Sequence, residues 1–473
     1  MANSARDPYW QASVRRETLD HPQAAASIED ECAACHMPMP RYRARMAGQL
    51  SPVFAVLSAP ASSEMHRQGI DGVSCTVCHQ MSPDGLGKEN TWNGQFLLSR
   101  PESGRSLEYG PFAIDPGLRK IMHSSTGGFE PTAGEHIRQS ELCASCHTLR
   151  TQALAADGSV VGGLPEQMPF LEWKHSRYVN QRSCQACHMP RVDGPLQISR
   201  VLGEARPELA RHVFTGANFF LQSMLSRHRD ALSVAAPAPL LDAASARTVD
   251  YLSSSAATLE VGTLRAGTEL RAHLQVTNLG GHKLPTAYPS RRAWLHVRVL
   301  DAAGQPVFES GALRPNGSIV GNDNDADPRR FEPHYRQIRN TGQVQIYESV
   351  LGDAAGGVTT GLLGATHYLK DNRLLPAGFD KRTASEEIAV IGEAREDAAF
   401  DASGHGIDYI IEVSGHPGPF AVEAELLYQP ISYRWAHNLS TYDAPEPRRF
   451  VSFYESLQEV SATVLASARR IQE

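Results

Sequence analysis

All eight cysteines of this chain fall into four Cys-x-x-Cys pairs, and each pair is followed directly by a histidine. The four motifs occupy residues 32–36, 75–79, 143–147 and 184–188. Two thiols at this spacing can each form a thioether to a porphyrin, and the adjacent imidazole is then placed to ligate the iron. The pattern therefore predicts four covalently attached haem c groups. The predicted attachment residues are Cys32, Cys35, Cys75, Cys78, Cys143, Cys146, Cys184 and Cys187, and the predicted proximal iron ligands are His36, His79, His147 and His188.

Three other uses of the cysteines are less consistent with this pattern. A structural zinc site is built from two such pairs, but zinc does not require a histidine after every pair. Histidine accounts for 19 of the 473 residues, so its chance placement after all four pairs is improbable. Redox-active thioredoxin-like chains carry one such motif in a βαβ setting. A disulfide framework is not needed in a chain long enough to build a large core.

Each predicted iron needs a sixth ligand if it is to carry electrons rapidly, and histidine and methionine are the usual choices. His66 and His175 are each separated from the next motif by eight intervening residues, which indicates a repeated ligand position. His282 lies in a Gly-Gly-His-Lys-Leu-Pro-Thr turn, where the glycines allow a close approach to a neighbouring surface. For any single histidine, a solvated or hydrogen-bonded side chain is the alternative. The candidate distal ligands are His66, His175, His212, His282, His123 and His136.

Charge and hydropathy restrict the partners of the chain. The formal net charge is −7, and haem propionates would make it more negative, which argues against binding to nucleic acid or to an anionic membrane surface. No apolar run approaches 18 residues, so the sequence predicts no transmembrane segment. The first residues lack the apolar region of a signal peptide. Because haem c is attached outside the cytoplasmic membrane, we expect a periplasmic or extracellular protein whose export signal was trimmed or missed.

The first part of the chain differs in composition from the rest. Residues 1–230 contain all the cysteines and are rich in Pro, Gly, Ser and His, with little sustained periodicity. Such a composition is typical of short helices and loops that wrap porphyrins. We therefore expect residues 1–230 to form a haem-wrapped, mostly α-helical and irregular tetrahaem domain. Prolines mark a linker after it, and residues 231–258 are predicted to contain a linker helix over 240–257.

Beyond the linker, the apolar period changes from 3.6 to 2. Apolar and polar residues alternate over 270–276, 295–299 and 420–428, which predicts strands with one buried face. We therefore expect an antiparallel β-sandwich-like domain over residues 259–445, with long loops between about 310 and 405, and a C-terminal helix over 446–473. The predicted fold class is multidomain α+β.

Three stretches, residues 66–79, 140–147 and 184–190, resemble the cytochrome c554-like multihaem cytochromes of bacteria, and the resemblance covers residues 1–230. In such proteins a histidine upstream of a motif often ligates the iron of another haem, and His66 and His175 match that position. The resemblance implies redox partner proteins, in particular other cytochromes. Some relatives are oxidoreductases that act on nitrogen or sulfur oxides at an open haem, often with lysine as the proximal ligand (Cys-x-x-Cys-Lys). This chain has no such motif.

Two smaller features carry weaker predictions. Asp323, Asp325 and Asp327 alternate with asparagines, a spacing that can hold calcium, although the glycine and glutamate of an EF-hand loop are missing and a solvated turn is the alternative. Arg291 and Arg292 lie close to His282 in sequence and could pair with haem propionates or serve as ordinary surface charges.

These observations favour an electron-transfer protein, in which four mostly bis-histidine haem c groups pass electrons to redox partners. An oxidoreductase with one open haem, acting on a small nitrogen or sulfur compound, is the first alternative. A docking subunit of a larger cytochrome assembly is the second, and the sequence is compatible with an oligomer. Whether the chain is an enzyme stays open at this point, with a carrier favoured over a catalyst.

Overall fold

The computed structural model describes residues 1–99, 106–201 and 203–473, and the chain divides into two compact units. The first unit comprises residues 1–10, 22–149 and 180–215. The second unit comprises residues 11–21, 150–179 and 216–473. This division differs from the predicted boundary at residue 230, because the segment 150–179, which carries His175, belongs to the second unit.

The chain contains both helices and strands. The α-helices are α1 (Pro8–Asp20), α2 (Ala25–His36), α3 (Pro38–Met46), α4 (Val53–Ser58), α5 (Glu64–Ile70), α6 (Cys75–His79), α7 (Pro116–Ser125), α8 (Ser140–His147), α9 (Pro169–Lys174), α10 (Cys184–His188), α11 (Phe219–Arg227), α12 (Ala238–Ser255), α13 (Asp323–Ala326), α14 (Tyr433–Asn438) and α15 (Pro445–Glu455). The strands are β1 (Leu107–Gly110), β2 (Glu130–Ala133), β3 (Leu149–Leu154), β4 (Val160–Gln167), β5 (Leu196–Gln197), β6 (Ala205–Arg206), β7 (Ala257–Ala266), β8 (Glu269–Asn278), β9 (Arg292–Leu300), β10 (Pro306–Ser310), β11 (Gln337–Ile338), β12 (Ile346–Asp353), β13 (Val358–Thr359), β14 (Ala365–Asp371), β15 (Phe400–Asp401), β16 (Gly404–Glu412), β17 (Phe420–Gln429) and β18 (Thr463–Gln472).

Short helices dominate the first unit. The motif-bearing helices α2, α6, α8 and α10 have 12, 5, 8 and 5 residues. Irregular segments connect them, together with the parallel pair β1–β2 and the antiparallel pair β5–β6. A small apolar cluster of Val77, Met81, Phe96 and Leu142 packs α6 against α8.

Two large sheets dominate the second unit, which also contains the two-stranded sheet β3–β4. A seven-stranded sheet has the order β13-β12-β9-β17-β18, with β10 on β9 and β14 on β12, and a five-stranded sheet has the order β11-β16-β8-β7, with β15 on β16. The alternation predicted for residues 270–276 is confirmed, since Leu270, Ala272, Leu274 and Val276 are all 0% exposed. The strands predicted over 295–299 and 420–428 and the helix predicted over 240–257 are confirmed as β9, β17 and α12.

The predicted C-terminal helix over 446–473 is wrong for most of its length. Helix α15 ends at Glu455, and the chain then forms β18, which pairs antiparallel with β17. The Ala- and Arg-rich composition of this tail favours a helix, but pairing with β17 satisfies the backbone groups of both strands and outweighs that local preference.

The prediction of long loops between 310 and 405 is also wrong in part. This segment contributes β12 and β14, which pair with each other, and β12 also pairs with β9. Seven of the eight residues of β12 are buried, and they include Glu348 and Ser349. Because both faces of β12 are covered, the strand lacks the alternation that reveals a half-exposed strand.

Within the described residues, no helix has both the length and the apolar character that a membrane span requires.

Candidate haem-binding centre

Each Cys-x-x-Cys-His motif forms the last turn of a helix. Helices α2, α6, α8 and α10 end at His36, His79, His147 and His188. On a helix, residues i, i+3 and i+4 lie on one face, so the two thiols and the imidazole of each motif point to the same side. This arrangement would suit a porphyrin that is bonded through two thioethers and ligated by the histidine.

The imidazoles of three motifs are oriented through their Nδ1 atoms. Nδ1 of His36 lies 3.2 Å from the Ser4 carbonyl oxygen, and Nδ1 of His79 lies 2.6 Å from the Tyr109 carbonyl oxygen. Nδ1 of His188 lies 2.5 Å from the carbonyl oxygen of Thr215. A carbonyl oxygen only accepts, so Nδ1 carries the proton in each ring and Nε2 is the nitrogen that holds the lone pair, the arrangement found in metal-ligating histidines.

His36 is suited to metal ligation by its charge state as well as by its orientation. Burial lowers the pKa of His36 to about 4, and this outweighs the hydrogen bond to Ser4, which acts in the opposite direction. The ring is therefore neutral near pH 7, and a neutral imidazole is the form that binds metal ions.

Helix α8 brings the attachment cysteines of three motifs together. The thiol of Cys146 is hydrogen-bonded to that of Cys35, and the thiol of Cys143 is hydrogen-bonded to that of Cys184. These contacts, together with burial, raise the pKa of both Cys143 and Cys146. The motif at 75–79 reaches the same helix through the cluster that joins Val77 to Leu142. All four predicted attachment motifs therefore converge on α8.

Backbone contacts fix α10 against the start of α8. The amide of Cys184 donates to Ser140 Oγ at 3.0 Å, and Gln185 Nε2 donates to the carbonyl oxygens of Ile137 and Gln139 at 3.2 and 2.7 Å. The side chain of Ser183 caps α10 by accepting from the Ala186 amide. These contacts hold the motif at 184–188 in register with the motif at 143–147.

A glycine allows a turn to pass between two motif helices. Gly94 has φ of +69°, and its amide donates to the Ser145 carbonyl oxygen at 2.7 Å. A Cβ atom at this position would lie 2.8 Å from the Ala34 Cβ and 3.0 Å from the Ala34 carbonyl oxygen. Only glycine combines this backbone conformation with so close an approach.

Among the candidate distal ligands, the structure places His212 beside a proximal histidine. The ring centroids of His79 and His212 are 6.1 Å apart, and the ring planes are inclined by 29°. Both residues belong to the first unit.

His66 and His123 have the same orientation as the motif histidines. Nδ1 of His66 lies 3.3 Å from the Val56 carbonyl oxygen, and Nδ1 of His123 lies 3.2 Å from the Phe129 carbonyl oxygen. Side chains that cap the helices hold each histidine in place. Ser63 accepts from the His66 amide in α5, and Asp115 accepts from two amides at the start of α7, which carries His123.

In His136 and His175, Nε2 and not Nδ1 is the ring nitrogen that contacts a backbone carbonyl oxygen. Nε2 of His136 lies 3.0 Å from the Met81 carbonyl oxygen, and Nε2 of His175 lies 3.0 Å from the Asp380 carbonyl oxygen. In both rings, the nitrogen used most readily for ligation carries the proton instead. His175 also lies in the second unit whereas His66 lies in the first, so their shared sequence offset does not give them the same surroundings.

The turn that carries His282 is held by many contacts within the second unit. Nδ1 of His282 lies 3.0 Å from the Lys283 carbonyl oxygen, and Asn278 Nδ2 donates to the His282 carbonyl oxygen at 2.7 Å. The Lys283 amide donates to Glu172, which is fully buried. Leu284 and Leu374 exchange two backbone hydrogen bonds. The backbone around His282 is therefore rigidly placed.

The predictions for Arg292 and the acidic turn are corrected by a buried ion pair. The guanidinium of Arg292 makes two hydrogen bonds to Asp325, at 2.8 and 3.0 Å, and both side chains are buried. Arg292 is therefore not available to a haem propionate. Asp323 is paired with Arg330 and Asp327 with Arg329, so each carboxylate has its own cation in place of a shared calcium ion.

The second unit contains a buried cluster of titratable side chains that was not predicted from the sequence. In the described part of the chain, His334, Asp397 and His405 are the residues whose potential ligand atoms gather within 4.8 Å of one another. Nε2 of His334 lies 2.9 Å from Asp397 Oδ2, and Nε2 of His405 lies 3.4 Å from the same oxygen. His334 is 63 residues away from Asp397, and the three residues form no known motif, so no spacing signal revealed them.

The neighbours of this cluster favour hydrogen bonding over metal binding. Gln345 and Asn372 both direct amide nitrogens at Nδ1 of His334, at 3.4 and 3.2 Å. The oxygens of both amides accept from backbone N–H groups, which fixes this orientation. Nδ1 of His334 must therefore accept, and its Nε2 carries the proton that is donated to Asp397.

Comparisons with known proteins bear on the fold. No family model matches the sequence, and no curated protein matches it. The chain is similar to the crystal structure of a pentahaem cytochrome c552 from Thermochromatium tepidum, with a TM-score of 0.51 and 17% sequence identity over 93% of this chain and 83% of that chain. At this identity the likeness concerns the fold alone. The chain thus shares its mixed helix-and-sheet architecture with a multihaem c-type cytochrome.

Proposed function

We propose that this chain is a tetrahaem c-type cytochrome that carries electrons between redox partner proteins. The observation that carries the proposal is the convergence of four Cys-x-x-Cys-His helices on α8, with thiols of different motifs in contact. Bound haem supplies the redox chemistry, and the protein supplies attachment, axial ligation and close spacing. The fold shared with a pentahaem cytochrome supports this reading.

His79 and His212 are proposed to hold one haem iron together. Imidazole nitrogens bind metal ions at roughly 2.0–2.1 Å, so two histidines that hold one ion would have their ring centroids within about 7 Å of each other. The centroid separation of 6.1 Å falls within this range. The hydrogen bond from His79 Nδ1 to Tyr109 leaves its Nε2 for the iron.

The orientations of the remaining candidates favour a carrier over a catalyst. His136 and His175 direct Nε2 at backbone carbonyl oxygens. His66, His123 and His212, which belong to the same unit as the four motifs, are therefore proposed as distal ligands. An iron with two histidine ligands exchanges electrons with little rearrangement and offers no open position to a substrate. We therefore favour the electron carrier over the oxidoreductase with an open haem.

The proposed partners and location follow from the same chemistry. Haem c is attached outside the cytoplasmic membrane, so we propose a periplasmic or extracellular location. The partners would be other redox proteins, in particular cytochromes, that approach within electron-transfer distance of a haem edge.

Carbon monoxide binding tests this proposal. The haem-loaded protein is reduced with dithionite, carbon monoxide is added, and the Soret band is followed. An unchanged band is expected, because every iron has two protein ligands. A shift on about a quarter of the haem in the unaltered protein would show an open iron and would favour the oxidoreductase.

A pair of variants sharpens the test. His212→Ala removes the proposed partner of His79 and is expected to let carbon monoxide bind about a quarter of the haem. His416→Ala removes a histidine from the surface of the second unit and serves as the matched control, with no binding expected. If His212→Ala binds no carbon monoxide, His212 is not an axial ligand.

A further inference from the structure

An aromatic side chain lies flat against one proximal histidine. The rings of Trp10 and His36 are parallel, with an interplanar angle of 0° and a centroid separation of 4.5 Å. Trp10 is only 8% exposed, and both residues belong to the first unit. This contact covers one face of the imidazole that follows Cys35.

The start of α1 holds Trp10 in this position. Asp7 Oδ1 accepts hydrogen bonds from the amides of Tyr9 and Trp10, at 2.9 and 3.1 Å, and so caps the first turn of the helix. The cap fixes the backbone of Trp10, and burial restricts the movement of its indole.

Ser4 restrains the same imidazole along its edge. The Ser4 carbonyl oxygen accepts from Nδ1 of His36 at 3.2 Å, and Ser4 Oγ donates to the His36 carbonyl oxygen at 2.8 Å. The hydrogen bond and the stacked indole act on different parts of the ring. Together they leave His36 little freedom to rotate.

We propose that Trp10 is a positioning residue for the haem attached at Cys32 and Cys35, where it fixes the plane of the His36 imidazole and lowers the reduction potential of that haem. The inference rests on the proposed function, because it requires His36 to ligate iron. The plane of an axial imidazole sets the electronic structure of a low-spin ferric haem. The electron-rich face of the indole favours the more electron-poor, ferric state of the ligated ring.

The test compares Trp10→Ala and Trp10→Phe with the unaltered haem-loaded chain. The ferric protein is examined by electron paramagnetic resonance, and the haems are titrated in a spectroelectrochemical cell. Trp10→Ala is expected to move one low-spin signal and to raise the midpoint potential of one haem, while the other three stay in place. Trp10→Phe keeps a stacked ring and is expected to restore most of both properties.

A matched control separates a specific effect from general destabilisation. Trp435→Ala removes a comparably buried tryptophan from the second unit and is expected to leave all haem signals unchanged. If both Trp10 variants carry four haems and show the signals and potentials of the unaltered chain, the positioning role is refuted.

A third variant distinguishes failure of this inference from failure of the proposed function. His36→Met is expected to alter the spectrum of one haem whatever Trp10 does. If His36→Met changes no haem signal, or if the unaltered chain carries no haem, the proposed function itself fails.

Discussion

The two units of the molecule differ in the interactions that stabilise their helices and strands. In the second unit, long strands such as β8 bury every second side chain, and β9, β12 and β17 pair over most of their lengths. In the first unit, the helices that carry the motifs have between 5 and 12 residues, and apolar side chains that follow the last motif, such as Leu196 and Ile198, are exposed. Isolated helices of this length are marginal in water. The second unit is therefore stabilised by its own core, whereas the first, under the proposed function, would depend on the porphyrins that its cysteines would bind.

The largest expected effect comes from withholding haem. When the full chain is produced without the attachment machinery, we expect protease cleavage within residues 22–149 and 180–215 and protection of the strands between 257 and 472. Without haem, the short helices of the first unit would lack the porphyrins against which they are proposed to pack, whereas the sheets of the second unit would keep their own core. Limited proteolysis with mass spectrometry locates the cuts. Equal protection of both units would contradict the distinction between them.

Breaking the buried ion pair tests the second unit alone. Asp325→Ala leaves the buried Arg292 guanidinium without its partner and is expected to destabilise the second unit by about 3–5 kcal/mol. Asp327→Ala is the control, because its partner Arg329 is 85% exposed, and a change of about 0–1 kcal/mol is expected. Hydrogen exchange of the strand amides measures both. A calcium-dependent change in this exchange would overturn the ion-pair assignment.

A core truncation is expected to have a slightly smaller effect. Leu274→Ala in β8 opens a cavity at a side chain that is 0% exposed, and the expected loss is about 2–5 kcal/mol. Leu264→Ala on β7 removes a side chain that is 64% exposed and is expected to change stability by less than about 0.5 kcal/mol. Urea unfolding followed by circular dichroism compares the two variants. Similar midpoints would show that β8 does not belong to a tightly packed core.

Acid is expected to weaken the second unit gradually. Burial, followed by the repulsion of His405, lowers the pKa of His334 to about 3, and burial also lowers the pKa of His405. Below pH 6.5 the two histidines become protonated in the unfolded chain but stay neutral in the folded chain. The free energy of unfolding therefore falls as the pH falls. The expected loss for His334 alone is about 1 kcal/mol between pH 6.5 and 5.5.

Asp397 acts in the same direction at lower pH. Burial raises its pKa, but hydrogen bonds from His405, the Ala399 amide and His334 outweigh burial and hold the pKa below its ordinary value. Its contribution to stability is present above about pH 4 and is lost as the pH falls further. Strand-amide exchange between pH 7 and 5 checks the histidine effect, and His334→Gln is expected to flatten the slope. Stability that rises toward pH 5 would contradict the neutral state of both histidines.

The motifs and the half-exposed strands were readable from the sequence because each depends on local spacing. In each Cys-x-x-Cys-His motif, a single helical turn is enough to place the two thiols and the imidazole on one side. In β8, apolar residues at every second position indicate that one face of the strand is buried. By contrast, β18 contains good helix formers and becomes a strand only through its pairing with β17. That outcome depends on residues that are distant in sequence.

The surroundings of the candidate ligands could not be read from the sequence either. The acceptors that orient His36, His79 and His188 are backbone carbonyl groups, which any residue type provides. The same is true of the carbonyl oxygens that engage Nε2 of His136 and His175. Which histidine faces an iron is therefore a property of the folded chain, and residue spacing alone offers only candidates.

The first measurement to make is the intact mass of the chain purified from a host that attaches haem c. We expect four haem groups for each chain, and three for a Cys143→Ser, Cys146→Ser double variant. A purified chain with free thiols, or with zinc bound to its cysteines, would contradict the tetrahaem interpretation.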